Sequence, residues 1–490
     1  MPDPQTNIGR WSPHERMVWG YGIVVLLCIF GAVLLQTPFP LAIPPLLLLV
    51  YVSVVDFRQI YWLLVFCLPL STEFYLPNGF GTDLPTEPLM IGLTGIGLLY
   101  LLRHGTLNGG LVLRHPITLA LLAHLGWIFI ATITSDLPFV SIKFLLAKLW
   151  YIIPFYFLTL RLVLEPVQVR RLFWVFFWPL LATVLITMVR HGLQGFTFES
   201  IHFVLSPYQR NHVNYAAMLA FTVPLVWFAR AWYPVGSWQR RILYAAFGLL
   251  LVAVYLSYTR AAYVALLGAA GMYFVFRWKL VRYALLAAVV AGVLAIGYMV
   301  RNNKYLEYAP NYDRTVTHYE FDNLIEATYK MEDISTMERV YRWVAGFHMS
   351  SANPVFGFGP GNFVNFYESY TVTSFRTYVS DNPERSGIHS YYLMTLVEQG
   401  IVGLFWFLIL VGVILIYGER IYHQTTDPAE KAWVMGILLC LAVIDAFQII
   451  NDLLETDKVG PIYFIAAALL VRQDLRNRAK EGSISLSAKK

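Results

Sequence analysis

Long apolar runs fill most of this chain, each close to the roughly 20 residues needed to cross a bilayer, and short polar stretches separate them. Read in order, about fourteen such segments emerge: 17–36, 38–55, 58–75, 87–103, 115–134, 141–163, 169–190, 213–231, 240–258, 260–277, 279–299, 391–417, 432–450 and 458–472. Lipid cannot hydrogen-bond an exposed backbone, so these segments must be helical. The third, fourth and tenth are short or share tight turns, which leaves the count open by about two. The pattern predicts an all-α polytopic membrane protein with about 12–14 transmembrane helices and one large outer loop. It divides as an N-terminal helical block (1–299), a loop domain with short helices (300–390), a C-terminal helical block (391–472) and a basic tail (473–490). No low-complexity segment or internal repeat stands out.

Composition agrees with the pattern: 58% of residues are hydrophobic and only 13% charged, which suits a membrane protein better than a soluble enzyme. The formal charge of +6 reads as asymmetry between loops, not as an affinity for nucleic acid. With the N-terminus inside, one set of loops carries Arg58, Arg103, Arg114, Arg161, Arg170, Arg171, Arg230, Arg240, Arg241, Arg277, Lys279, Arg282, Arg420 and Lys431, and the tail adds Arg472, Arg476, Arg478 and Lys480. The opposite short loops are poorer in Lys and Arg, and two of them carry acids: Glu73 with Asp83, and Asp452 with Glu455. That bias places both termini inside and 300–390 outside. The first apolar run is long enough to span and lacks a small-residue cleavage site, so no cleavable signal peptide is expected. Cys28, Cys67 and Cys440 all fall in apolar segments and offer no metal spacing.

The outer loop concentrates the candidate chemistry. Ser335 with Glu338 three residues on predicts a capped helix start, and Arg339 and Arg342 share one face of that helix. Phe356-Gly357-Phe358-Gly359-Pro360-Gly361 predicts a turn with close backbone approach or positive φ. Phe363, Phe366, Tyr367 and Tyr370 suit either sugar faces or a headgroup-level belt. His389 sits where the polar loop re-enters an apolar segment. Among ionisable groups in or beside apolar stretches, Glu87, Lys143, Lys148, Glu398 and Asp445 are costly in lipid and expected to face the bundle interior or water. Glu87 suits a helix N-terminus or an acceptor contact. Lys143 and Lys148 suit either a diphosphate or pairing with acids. His318 and His348 have no supporting pattern.

His389-Ser390, nine residues, then Gly400-x2-Gly403 resembles the histidine motif of the O-antigen ligase and polymerase superfamily. Asn211-His212-Val213-Asn214-Tyr215-Ala216 is similar to its Asn-x-Asn-x-x-Ala segment, and Ser257-Tyr258-Thr259-Arg260 to its Ser-Arg segment. Arg339-x3-Trp343 followed by Pro354-x2-Gly357-x-Gly359 resembles its loop motif. The likeness covers roughly 205–415, with departures at Val213 (commonly proline), Thr259 (commonly serine) and about two extra spans. It implies a bacterial inner-membrane, multi-pass glycosyltransferase acting at the periplasmic face. Such a protein moves a glycan from undecaprenyl diphosphate to lipid A core, another glycan or a protein, without a metal or other cofactor. The resemblance implies a direct, inverting displacement with His389 as general base, for which an imidazole titrating near neutral is suited. Arg260, Arg210, Arg339 and Arg342 would hold the diphosphate, because a guanidinium matches phosphate bidentately. Glu87, Lys143, Lys148, Asn211 and Asn214 are further candidates for substrate or acceptor. Arg260 at a helix end also fits plain snorkelling, and His212 fits capping of its own helix.

Three function classes compete: a lipid-linked glycan transferase (ligase, repeat-unit polymerase or protein oligosaccharyltransferase), a solute transporter and an assembly protein. Transport would favour inverted repeats and interrupted spans in matching positions, which the sequence lacks. An assembly role leaves the arginine-bearing loop without a purpose. The orientation is directly testable in a cysteine-free background. A cysteine replacing Asn311 should react with an impermeant reagent from outside and one replacing Lys490 should not; the reverse pattern would overturn the orientation.

Overall fold

The computed structural model describes residues 12–37, 39–75, 81–104, 110–301, 304, 334–376, 380–382 and 385–487. Asn311, His318 and Lys490 lie outside them, as does most of the first half of the long loop. Contacts divide the chain into two units, Met1–Leu64 and Val65–Lys490.

In the first unit, α1 (Pro13–Leu34) starts at a capping box: Ser12 Oγ accepts the Glu15 amide at 3.2 Å and the Glu15 carboxylate accepts the Ser12 amide at 2.7 Å. Leu26, Leu27, Phe30, Val33 and Leu34 of α1 are exposed, as on a helix facing lipid. The next helix, α2 (Ile43–Cys67), joins the segment expected at 38–55 to the first part of the one expected at 58–75, whose last residues, 72–75, form a strand instead. Asp56 breaks it (φ −154°, ψ 87°), and its carboxylate accepts the Arg58 amide at 3.2 Å, capping the second half.

The second unit opens with a hairpin the hydrophobic pattern did not indicate: β1 (Thr72–Tyr75) pairs antiparallel with β2 (Gly81–Leu84), Thr72 opposite Leu84. Then follow α3 (Thr86–His104), α4 (Pro116–Ile133), α5 (Pro138–Leu162), α6 (Pro166–Leu193), α7 (His212–Ala229), α8 (Trp238–Tyr255), α9 (Arg260–Arg277) and α10 (Val281–Val300). Beyond the long loop's first half come α11 (Ile334–Ala352), α12 (Tyr391–Gln424), α13 (Pro428–Ile450) and α14 (Gly460–Ser487). In α5 a buried π turn spans Ile153–Leu158, where Pro154 has no amide to give the α-helical ladder.

Apart from the hairpin this is an all-α polytopic membrane protein. Among the described residues nine helices are long and apolar enough to cross a membrane, fewer than the 12–14 expected. The difference has two sources. The second and third segments are one helix, and α3, α8, α9 and α14 form where expected but are not among the nine. The C-terminal helix runs through the segment expected at 458–472 and on into the basic tail, as far as Ser487.

Helices do not attract one another hydrophobically within lipid, so their association depends on close packing and small residues. Gly436 of α13 lets α7 approach: a Cβ there would lie 3.0 Å from Phe228 Cβ. Residues 214–226 of α7 are almost continuously buried. The directions of the core helices follow from three contacts. Thr259 at the head of α9 donates to the His212 carbonyl at 3.3 Å, and Phe276 near its tail meets His423 Nε2 at 2.9 Å. His423 lies at the turn into α13, so α9 runs antiparallel to α13 and its head reaches α13's far end. There the Asn451 carbonyl accepts the Tyr391 amide at 3.1 Å, bringing the start of α12 to the same place. At the opposite end Glu430 takes Arg476 at 2.9 Å and Lys480 at 3.2 Å, while Asp474 takes Arg478 at 2.6 Å and His115 at 3.2 Å.

The helix α12 contains one interruption, Gly400 (φ 69°, ψ −176°), a backbone region open to little but glycine. Its amide neighbour Ile401 donates to the Pro354 carbonyl at 2.8 Å, and a Cβ on Gly400 would collide with the Val355 carbonyl. Gly400→Ala should therefore destabilise by at least about 1–3 kcal/mol. Gly412→Ala in the same helix, with nothing nearer than Leu285 at 3.9 Å, should be neutral or slightly stabilising. Thermal denaturation of the two purified variants checks the contrast.

Candidate active site

The first helix of the site, α11, is amphipathic: Met337, Tyr341, Val344, Ala345 and Met349 are buried, at the spacing of one helix face. Gly346 on that helix has no side chain to keep it from Ile388, Leu393 and Val397, so α11 lies against the first turns of α12. The helix starts at Ile334, one residue ahead of the start expected at Ser335. The Glu338 carboxylate accepts from Ser380 Oγ at 2.6 Å and pairs with Arg342 at 3.7 Å.

The glycine-rich segment follows α11 and is fastened to α12 from outside. Gly357, Gly359 and Gly361 all have positive φ. Phe358 donates to the Val397 carbonyl at 3.1 Å and Gly359 to the Glu398 carbonyl at 2.9 Å. The Glu398 carboxylate is buried and accepts the amides of Gly361 at 2.8 Å and Phe363 at 3.0 Å, so both oxygens serve the loop. Asn362 extends the fastening to Ser135 Oγ at 2.9 Å, at the α4–α5 turn. A glycine in a membrane helix commonly admits a neighbouring helix, but Gly400 does not. It admits this loop instead, because the turn preceding it leaves its backbone facing Val355. Gly403 does admit a helix, α4, whose Trp127 would sit 3.1 Å from a Cβ there.

These fastenings fix His389. Its backbone is left-handed (φ 56°), a region that histidine visits more than most residues, and Ser390 behind it caps α12 by accepting the Leu393 amide at 3.4 Å. Arg342 Nη1 lies 2.8 Å from His389 Nε2 and donates to the Gly387 carbonyl at 2.9 Å; Trp343 Nε1 donates to the Ile388 carbonyl at 3.1 Å. A guanidinium only donates, so the bond to Nε2 makes that nitrogen the unprotonated one. Burial first, then the charges of Arg339 and Arg342, push the His389 imidazole down to about 3. The near-neutral titration expected of it is therefore absent in this state: desolvation and two cations all disfavour imidazolium. Nε of buried Arg342 has no hydrogen-bond partner among the described residues.

Beneath Gly387 lies Asp452, whose carboxylate a Cβ on that glycine would strike. Burial raises the Asp452 carboxyl, and Arg342 and Arg339 partly offset this. Three residues on, Glu455 forms an ion pair with buried Lys148 and accepts from Tyr391 Oη at 2.7 Å, while Lys148 Nζ reaches the same hydroxyl at 3.1 Å. From the sequence Asp452 and Glu455 stand out only as loop charges; two acids in one short loop are the available signal. Lys143, by contrast, is exposed, 5.8 Å from the Phe139 ring centroid.

A second group gathers at the same end. Asn211 caps α7 by accepting the Asn214 amide at 2.9 Å; its own side chain is exposed and that of Asn214 is buried. The bond from Thr259 to His212 sets half-buried Arg260, first residue of α9, beside this cap. Arg210 is largely exposed, 4.0 Å from Glu73 of the hairpin, and Glu87 accepts from Thr82 Oγ1 at 2.7 Å. The described structure thus brings His389, Arg339 and Arg342 into one cluster, and Arg260, Asn211 and His212 into another. Arg210 and Glu87 lie at the hairpin. No three His, Cys, Asp or Glu side chains among the described residues group closely enough to hold a metal ion.

Residues 245–408 match the family model described as O-antigen ligase. The matched stretch holds Arg260, α11, the glycine loop and His389, and leaves out the Asn211 segment. None of the curated proteins compared matches the chain. The family match covers the stretch that builds the His389 cluster and supports an O-antigen ligase-like superfamily assignment.

Proposed function

We propose that this protein transfers a glycan from undecaprenyl diphosphate to an acceptor hydroxyl at the periplasmic face of the bacterial inner membrane. His389 acts as general base. The family match supports glycosyl transfer of the O-antigen ligase kind in general, with a lipid-linked glycan donor and a glycan acceptor. The observation that carries the residue-level reading is the Arg342–His389 contact at 2.8 Å, which holds an unprotonated imidazole nitrogen beside cations at one end of the bundle.

In the proposed step the acceptor oxygen attacks the anomeric carbon and the bond from that carbon to the diphosphate oxygen breaks. The hydroxyl proton passes to His389 Nε2, and the negative charge left on the diphosphate is taken up by guanidinium groups. Arg342 is already engaged by His389, Gly387 and Glu338, so its first role is to keep His389 in the basic form and in place. Arg339 beside it and Arg260 in the neighbouring cluster are the diphosphate ligands of choice, with Arg210 further out. When the donor binds, its negative charge draws Arg342 toward phosphate, frees the Nε2 lone pair and cancels the push that kept the imidazole acidic. The base thus strengthens when its substrate arrives. Ligase, polymerase and protein-transfer versions share this donor chemistry. A deletion strain separates the first two: stranded full-length polymer marks a lost ligase, and single repeat units mark a lost polymerase.

Replacing His389 by Gln should lower transfer by about 10²–10⁴-fold while membrane insertion and retention of lipid-linked donor stay near wild type. Near-normal transfer by that variant would remove His389 from the role of base.

The pH dependence gives an independent check, because kcat/KM reports the free enzyme and kcat the donor-bound one. With the free imidazole at about 3, His389 stays unprotonated down to strongly acid pH, so kcat/KM should show no acid limb from it between about pH 5 and 8. The acid limb of kcat should lie at higher pH. Arg342→Gln removes one cation and should move the kcat/KM limb upward, though not to an ordinary histidine value, since burial is the larger cause. An unmoved limb in Arg342→Gln would show that the arginine does not tune His389.

A further inference from the structure

At the end of the bundle opposite His389, the start of α10 and the last turns of α12 enclose a cavity of about 600 Å³. Lys279, Arg282 and Arg420 line it, and all three are exposed. Two other lining groups are already committed. Glu419 accepts the Val281 amide at 3.1 Å, capping α10, and His423 Nε2 meets the Phe276 carbonyl at 2.9 Å. Among the described residues none of the three cations forms an ion pair, so they face the cavity against a single carboxylate. Gly400 and Arg420 are twenty residues apart on α12, roughly 30 Å along a helix, which separates this cavity from the His389 cluster.

The surface beside the cavity is apolar. Tyr283, Leu286, Val290 and Leu294 of α10 are exposed, and α10 is one of the helices long and apolar enough to cross a membrane. Cations at a helix end next to bare apolar surface match a ligand with a phosphate at one end and hydrocarbon behind it. We propose that this cavity binds the phosphate headgroup of an anionic phospholipid, with the acyl chains lying along α10. A free phosphate would use the cations but leave the apolar wall unexplained.

Native mass spectrometry of the full-length protein, with phosphatidylglycerol or phosphatidylcholine added to the detergent, tests the proposal. Phosphatidylglycerol should be retained in preference to phosphatidylcholine and should resist displacement by millimolar inorganic phosphate. Each cation removed should weaken retention roughly fivefold, so the combined Lys279→Gln, Arg282→Gln, Arg420→Gln variant should lose on the order of 100-fold. The charge-keeping pair Lys279→Arg with Arg420→Lys should retain the lipid, which separates charge from folding. Should the triple variant fail to fold, Arg420→Gln alone should show the fivefold loss. Unchanged retention in the glutamine variants, equal retention of phosphatidylcholine, or displacement by inorganic phosphate would each overturn the proposal.

Discussion

The arrangement at the head of α12 depends on one buried carboxylate that substitutes for helix backbone. Glu398 gives both oxygens to amides of the glycine loop, groups that no regular element would otherwise satisfy. Desolvating a carboxylate is expensive unless such donors meet it, and hydrogen bonds to a charged acceptor are about twice as strong as neutral ones. The loop in turn occupies the gap that Gly400 opens in the helix, and α11 lies across the turns just before that gap. Glu398, which the sequence marks only as a group to be kept from lipid, is thus placed as a clamp. Without it the loop would lose its anchor beside the turns of α12 on which α11 lies.

Much of the fold was legible because its signal is one-dimensional. A run of apolar residues must be a helix in lipid whatever its neighbours are, so the expected segments are helical over most of their length, although two share one element and residues 72–75, the end of the third, form a strand. The break at Asp56 falls in the gap between those two segments, where a carboxylate and an arginine interrupt the apolar run. The hairpin at 72–84 was not legible, since its strands are four residues each and mostly exposed. The partners of Glu338 show the limit of local motifs: Arg342 lies one turn on in the same helix, but Ser380 is 42 residues away.

At the site, residue types were easier to read than their electrostatics. The shared face of Arg339 and Arg342 follows from helical spacing, and the closeness of the glycine turn to another backbone follows from glycine itself. The proximity of that arginine pair to His389 is a matter of tertiary structure, because 47 residues separate Arg342 from His389. An isolated histidine invites the assumption of near-neutral titration. A histidine enclosed with two guanidinium groups does not behave that way, and only the fold shows the enclosure.

The near-isolation of α10 has a consequence for how the protein meets its bilayer. Twenty residues of helix rise about 30 Å, close to the thickness of a typical hydrocarbon core. Most of its side chains are exposed, so few interlock with the rest of the bundle. A mismatch between helix length and bilayer thickness is relieved by tilt. In α7 or α13 a tilt would strip packed side chains from one another, whereas α10 can lean with little loss of packing. Thickness changes are therefore absorbed at this helix sooner than at α7 or α13, which leaves the core helices that position Arg260 and His389 undisturbed.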